Sequence, residues 1–120
     1  MILALLIAVA GGLGSALRYL ADRAVAAVLG PASWGIVLVN VTGSFALGAL
    51  TGLAARGALA EDPRLILGLG VCGGYTTFST AMVDVLRLGL RDRRGAAVAC
   101  LLGTFLGAVG AAALGFAVTA

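Results

Sequence analysis

Residues 65–86 read LILGLGVCGGYTTFSTAMVDVL, and this stretch decides what kind of protein the chain is. Arg64 and Arg87 bracket it, and between them apolar residues dominate. About 20 such residues suffice for a helix to cross the ~30 Å hydrocarbon core of a bilayer. At its centre lies Gly73-Gly74-Tyr75-Thr76-Thr77-Phe78-Ser79-Thr80. Two adjacent glycines followed by a run of hydroxyl residues are poor helix material. We expect the helix to break or unwind there. Backbone groups released at membrane depth need partners in protein or in a bound ion, because lipid offers none. The competing reading is a simple kink whose Thr and Ser hydroxyls bond back to their own helix.

The same alternation of apolar block and charged boundary extends in both directions. It predicts helices over about residues 2–20, 34–55, 65–86 and 95–118. Short polar connections at 30–33, 56–63 and 87–94 join them, and there is no room for a second domain in the 120 residues. The chain is 62% hydrophobic and 11% charged. A soluble domain carries about a quarter charged residues. The expectation is therefore an all-α integral membrane protein, a single four-helix domain over residues 1–120. The first block has no basic residue before it and no convincing cleavage site, so it reads as a span and not as a cleaved leader.

The net charge of +3 comes from arginines, and neither Lys nor His occurs. That balance is too small and scattered for a nucleic-acid footprint, and it excludes a histidine switch or a histidine metal site. Cys72 and Cys100 sit in apolar runs and read as free thiols packed as small hydrophobes. Gly68-Leu69-Gly70-Val71-Cys72-Gly73 matches GxGxxG, but that fingerprint needs a βαβ unit this chain cannot build.

Small residues recur at every fourth position: Ala4, Ala8, Gly12 and Ala16; Ser44, Gly48 and Gly52; Ala99, Gly103, Gly107, Ala111 and Gly115. Each set forms a stripe along one helix face. Such stripes let helix backbones approach closely in lipid, within one subunit or between two. The first and third connections, with Arg18 at a helix end, carry more arginine than the second. Basic loops stay cytoplasmic, so both termini are expected on the outer side.

No Asp, Glu or Arg lies near the middle of any block, which argues against a proton-coupled carrier. Asn40 is the exception in polarity. It lies six residues past Trp34, roughly 9 Å deeper along a helix. Its amide has two N–H donors that must be used. One use is an interhelical hydrogen bond that merely holds helices together.

Three segments together resemble one family, the small bacterial fluoride channels known as Fluc or CrcB. They are Gly11-Gly12-Leu13-Gly14-Ser15-Ala16-Leu17-Arg18-Tyr19, Val39-Asn40-Val41-Thr42-Gly43-Ser44-Phe45, and Gly70 through Thr80 of the third block. The resemblance implies an antiparallel, dual-topology dimer in the bacterial cytoplasmic (inner) membrane. Fluoride would pass along the subunit interface and leave the cytoplasm passively. A structural, non-transported sodium ion would sit at the dimer centre on backbone carbonyls, here those of Gly73 and Thr76. Asn40, Phe78, Ser79 and Thr80 would line the fluoride pathway, and Arg18 would sit in a vestibule. The chain would not be an enzyme. The family pattern continues Phe-Ser-Thr-Phe, whereas this chain reads Phe78-Ser79-Thr80-Ala81. The missing ring leaves two arrangements open, a homodimer or a pair with an oppositely oriented sister subunit. The other function classes are a small four-helix drug or metabolite antiporter, which should carry a Glu in its first helix, and a non-transporting membrane scaffold.

Overall fold

The computed structural model describes residues 1–30 and 34–120. Four helical segments among them are long and apolar enough to cross a membrane. Helix α1 runs Ile2–Leu29 and α2 runs Trp34–Ala55. The third span, Glu61–Leu90, is interrupted. Its first part, α3, covers residues 61–75 and its second, α4, is Phe78–Leu90. Helix α5 runs Arg94–Thr119. Residues 31–33 of the expected first connection lie outside the described residues.

Helix α1 is longer than its apolar block. Expected to stop near residue 20, it continues through Asp22 and Arg23 to Leu29. At 1.5 Å per residue its length is about 42 Å, well beyond a ~30 Å core. Charge marks where a membrane ends, not where a helix ends. Ala24-Val25-Ala26-Ala27-Val28-Leu29 still favours helix, and Arg23 lies over the Tyr19 ring one turn back, 5.9 Å from its centroid. The helix terminates at Gly30, whose φ of 84° suits glycine. Asp22 thereby falls inside α1, with its carboxylate against Gly35 at the start of α2.

The third span opens with Glu61 and Asp62 in its first turn, where the positive end of the helix dipole favours them. Arg64 donates to the Glu61 carboxylate at 2.6 and 3.0 Å. Ile66–Cys72 then winds as a π-helix through Gly68 and Gly70. The interruption is at Thr76 (φ −77°, ψ 153°) and Thr77 (φ −153°, ψ 124°), both extended. The break thus falls inside the stretch expected to unwind, but two residues past the glycine pair. Gly73 and Gly74 are helical. Gly74 is there for contact: a Cβ on it would strike the Gly11 carbonyl of α1.

Backbone approach through glycine dominates the packing. On α2 and α5, Gly48 rests on the Ala112 carbonyl, Gly52 on that of Phe116, and Gly115 on that of Phe45. The Thr119 hydroxyl donates to the Ala49 carbonyl at 2.9 Å. Between α1 and α3, Gly14 meets the Val71 carbonyl, Gly70 meets Ala10 and Ile7, and the Ser15 hydroxyl donates to the Gly74 carbonyl at 3.2 Å. Two of the three sequence stripes therefore pack within the chain. The α1 stripe does not: Ala4, Ala8, Gly12 and Ala16 are all exposed, and the packed face is that of Ile7, Ala10, Gly11 and Gly14. The buried apolar residues are few and small, Val39, Ala81 and Cys100 among them. Large residues such as Leu13, Leu106 and Val118 point outward. That inversion is the signature of a chain solvated by lipid. Cys72 and Cys100 are free and buried, as read from the sequence.

Candidate functional site

The break exposes two consecutive peptide groups that a continuous helix would have paired. Asn40 of α2 takes up part of the deficit. Its carboxamide oxygen accepts from the Thr77 N–H at 2.8 Å, and its Nδ2 donates to the Thr77 carbonyl at 2.9 Å. One side-chain amide thus stands in for a missing strand of backbone. Asn40 is buried, so both bonds lie in a low-dielectric setting where an unpaired group is costly. The interhelical hydrogen bond expected as one use of Asn40 is therefore present: it joins α2 to the third span. Its second N–H has no partner among the described residues.

Neighbouring contacts fix the break further. The Thr76 hydroxyl donates to the Cys72 carbonyl at 2.9 Å, closing the last turn of α3. The Tyr75 hydroxyl lies 3.1 Å from that of Thr42 on α2, and Gly43 gives room for Thr76 and the Tyr75 ring. Thr77 caps α4 through its hydroxyl, which accepts from the Thr80 N–H at 3.4 Å. The Ser79 and Thr80 hydroxyls each lie 3.3 Å from that of Thr77.

The carbonyls freed at the break have distinct fates. That of Gly74 accepts from Ser15. In an unbroken helix the Gly73 carbonyl would accept from Thr77 N–H and the Thr76 carbonyl from Thr80 N–H. Those donors go to Asn40 and to the Thr77 hydroxyl instead. Neither carbonyl accepts a hydrogen bond from the described residues. The Tyr75 carbonyl is likewise without a donor among the described residues, so three carbonyl oxygens are bare at membrane depth, and such oxygens are the donors a hard cation favours.

Beside the break lies an open cleft of about 540 Å³, lined from α2 by Asn40 and Ser44, from the third span by Thr76, Thr77, Phe78 and Met82, and from α5 by residues that include Thr104 and Phe105. Most of the wall is apolar. Phe78 is 77% exposed and stands free at the start of α4. The structure therefore gathers Asn40, Thr76 and Phe78 at one cleft. Ser79 and Thr80 are exposed and do not line it, Gly73 stands apart with its free carbonyl, and Arg18 is half-buried on α1 and also outside the lining.

Thr104 is the residue the sequence reading missed. Thr42, Thr51, Thr76 and Thr119 each bond to the carbonyl four residues back, as a threonine in an apolar helix normally does. The Thr104 hydroxyl is buried and has no nitrogen or oxygen partner among the described residues; the Cys100 thiol, one turn back, is its polar neighbour. A single hydroxyl in Cys100-Leu101-Leu102-Gly103-Thr104-Phe105 was a visible signal, overshadowed by the small-residue stripe through the same helix.

Residues 5–116 match the family described as CrcB-like protein, Camphor Resistance (CrcB). The chain belongs to the CrcB family. Among the CrcB relatives, the fluoride-specific ion channel FluC of Nitrobacter winogradskyi is 42% identical over 109 residues, covering 89% of this chain and 86% of its own. Fluoride-specific ion channel FluC 1 of Leifsonia xyli subsp. xyli is 45% identical over 114 residues, with 92% and 82% covered. The FluC of Rhodospirillum centenum is 44% identical over 115 residues, with 94% and 91% covered. The match to the CrcB family thus takes in all four spans, the break and the cleft together.

Proposed function

We propose that this chain is a fluoride-selective channel that lets fluoride leave the cytoplasm passively across the bacterial inner membrane. The observation that carries the reading is that Asn40, Thr104 and the exposed Phe78 line one cleft at the helix break. Its similarity to channels named for fluoride supports the choice of ion.

The chemistry follows from hydration. Fluoride is small and holds its water strongly, so entry into a dry cleft requires replacement donors. Asn40 has one N–H to give, and the Thr104 hydroxyl has no nitrogen or oxygen acceptor among the described residues, only the weakly accepting Cys100 sulfur one turn back. The edge of the Phe78 ring carries partial positive charge and adds weak attraction. An otherwise apolar lining keeps the total modest. Conduction needs that balance, because a site with many donors would trap the ion.

The pathway is completed by a second subunit in antiparallel orientation, either another copy or a sister chain. The exposed α1 stripe of Ala4, Ala8, Gly12 and Ala16 and the exposed Phe78, Ser79 and Thr80 support an unfilled subunit interface. A sodium ion would be held by the Gly73 and Thr76 carbonyls, and would supply fixed positive charge near the anion route. The arginine-rich ends, Arg18 and Arg23 with Arg87 to Arg94, face the cytoplasm in this reading and raise the local anion concentration.

The test is efflux from liposomes reconstituted with the purified chain alone, followed with a fluoride electrode and, in parallel, a chloride electrode. Fast fluoride release with little chloride release is expected. Equal release of both ions would overturn the proposal, and release of neither would overturn the homodimer. Flux from the lone product would also decide for the homodimer.

A further inference from the structure

We infer that Phe105 of α5 is a second aromatic wall of the anion route and sets its throughput together with Phe78, an inference that rests on the channel reading above. Phe78 and Phe105 come from different helices, yet both line the cleft that holds Asn40 and Thr104. Both are largely exposed, at 77% and 64%, so neither is held in the core of the chain. Leu101 and Val109, one turn to either side of Phe105, line the same cleft. Phe105 is thus at the middle of the α5 wall, and it follows directly on Thr104, the residue with the unpartnered hydroxyl. Position 81 offers no ring, being an alanine, and it is fully buried. The rings of this cleft are those of Phe78 and Phe105.

The chemical reason is the charge distribution of a benzene ring. Its edge is partly positive and its faces partly negative, so an edge turned to an anion attracts it without a formal donor. Leucine fills similar volume with no such asymmetry. A perfluorinated ring keeps the shape and reverses the sign at the edge. A Phe105 that only fills space beside lipid would tolerate both replacements.

The experiment compares wild type, Phe105→Leu and a variant carrying pentafluorophenylalanine at 105, each reconstituted in liposomes with a fluoride electrode as readout and checked by sizing chromatography. Both variants are expected to release fluoride about tenfold more slowly than wild type, the effect of removing a single weak attraction near the barrier. Wild-type rate in either variant overturns the inference while leaving the channel reading intact. If Phe105→Leu fails to fold, the shape-preserving variant decides alone. A wild-type protein that releases no fluoride overturns the homodimeric channel and this inference with it.

Discussion

Replacing Asn40 by Leu keeps the volume and removes the amide that pairs with both polar groups of Thr77. The two bonds, at 2.8 and 2.9 Å, are made by a side chain only 6% exposed. Two buried backbone groups left without partners would cost about 1–3 kcal/mol each if nothing replaced the amide. In a membrane the unfolded helices also find partners, and interhelical hydrogen bonds then average about 0.6 kcal/mol, with a maximum near 1.7. The second figure is the relevant one, because the helices persist when they separate. We therefore expect Asn40→Leu to lose about 1–3 kcal/mol for the pair of bonds. Thermal unfolding in detergent, followed through the single Trp34, would measure it. Asn40→Asp sharpens the test. A neutral carboxyl can repeat both bonds, donating its O–H to the Thr77 carbonyl and accepting from the Thr77 N–H. A carboxylate would instead oppose the carbonyl oxygen. The Asp variant should melt near wild type in acid and well below it at neutral pH. Equal melting of Asn40→Leu and wild type, or a pH-independent Asp variant, would refute the reasoning.

Two further outcomes follow from the packing and the surface. Gly48→Ala places a methyl on the Ala112 carbonyl and should destabilise by about 1–3 kcal/mol, whereas Gly110→Ala, with open space around it, should be neutral or slightly stabilising; melting temperatures of both check this. Arg64→Ala removes an exposed pair with Glu61 and should leave the melting temperature unchanged within error in both low and high salt.

The four spans were legible because lipid demands long apolar runs, and α2 ends where the sequence places its end, at Ala55. The first helix was underestimated because Arg18, Asp22 and Arg23 mark a polarity boundary that the backbone ignores. The position of the break was legible only to within a few residues. Glycine tolerates unwinding, but here Gly74 serves contact with Gly11, while extended Thr76 and Thr77 are held open from α2. Asn40 was found from its polarity, yet its pairing with Thr77, 37 residues away, is long-range and leaves no local periodic trace. Thr104 and Phe105 were missed for the same reason: their meaning lies in the cleft they share with α2 and the third span, which no local pattern contains.

The most direct measurement concerns the Thr104 hydroxyl, a buried polar group with no nitrogen or oxygen partner among the described residues. Thr104→Val keeps the shape and removes the oxygen. The account predicts a melting temperature equal to or above wild type, since an unpaired hydroxyl costs about 1–3 kcal/mol, together with fluoride efflux from liposomes slowed about tenfold for want of one donor. Undiminished efflux from a stable Thr104→Val protein would contradict the assignment of this cleft to the ion's route.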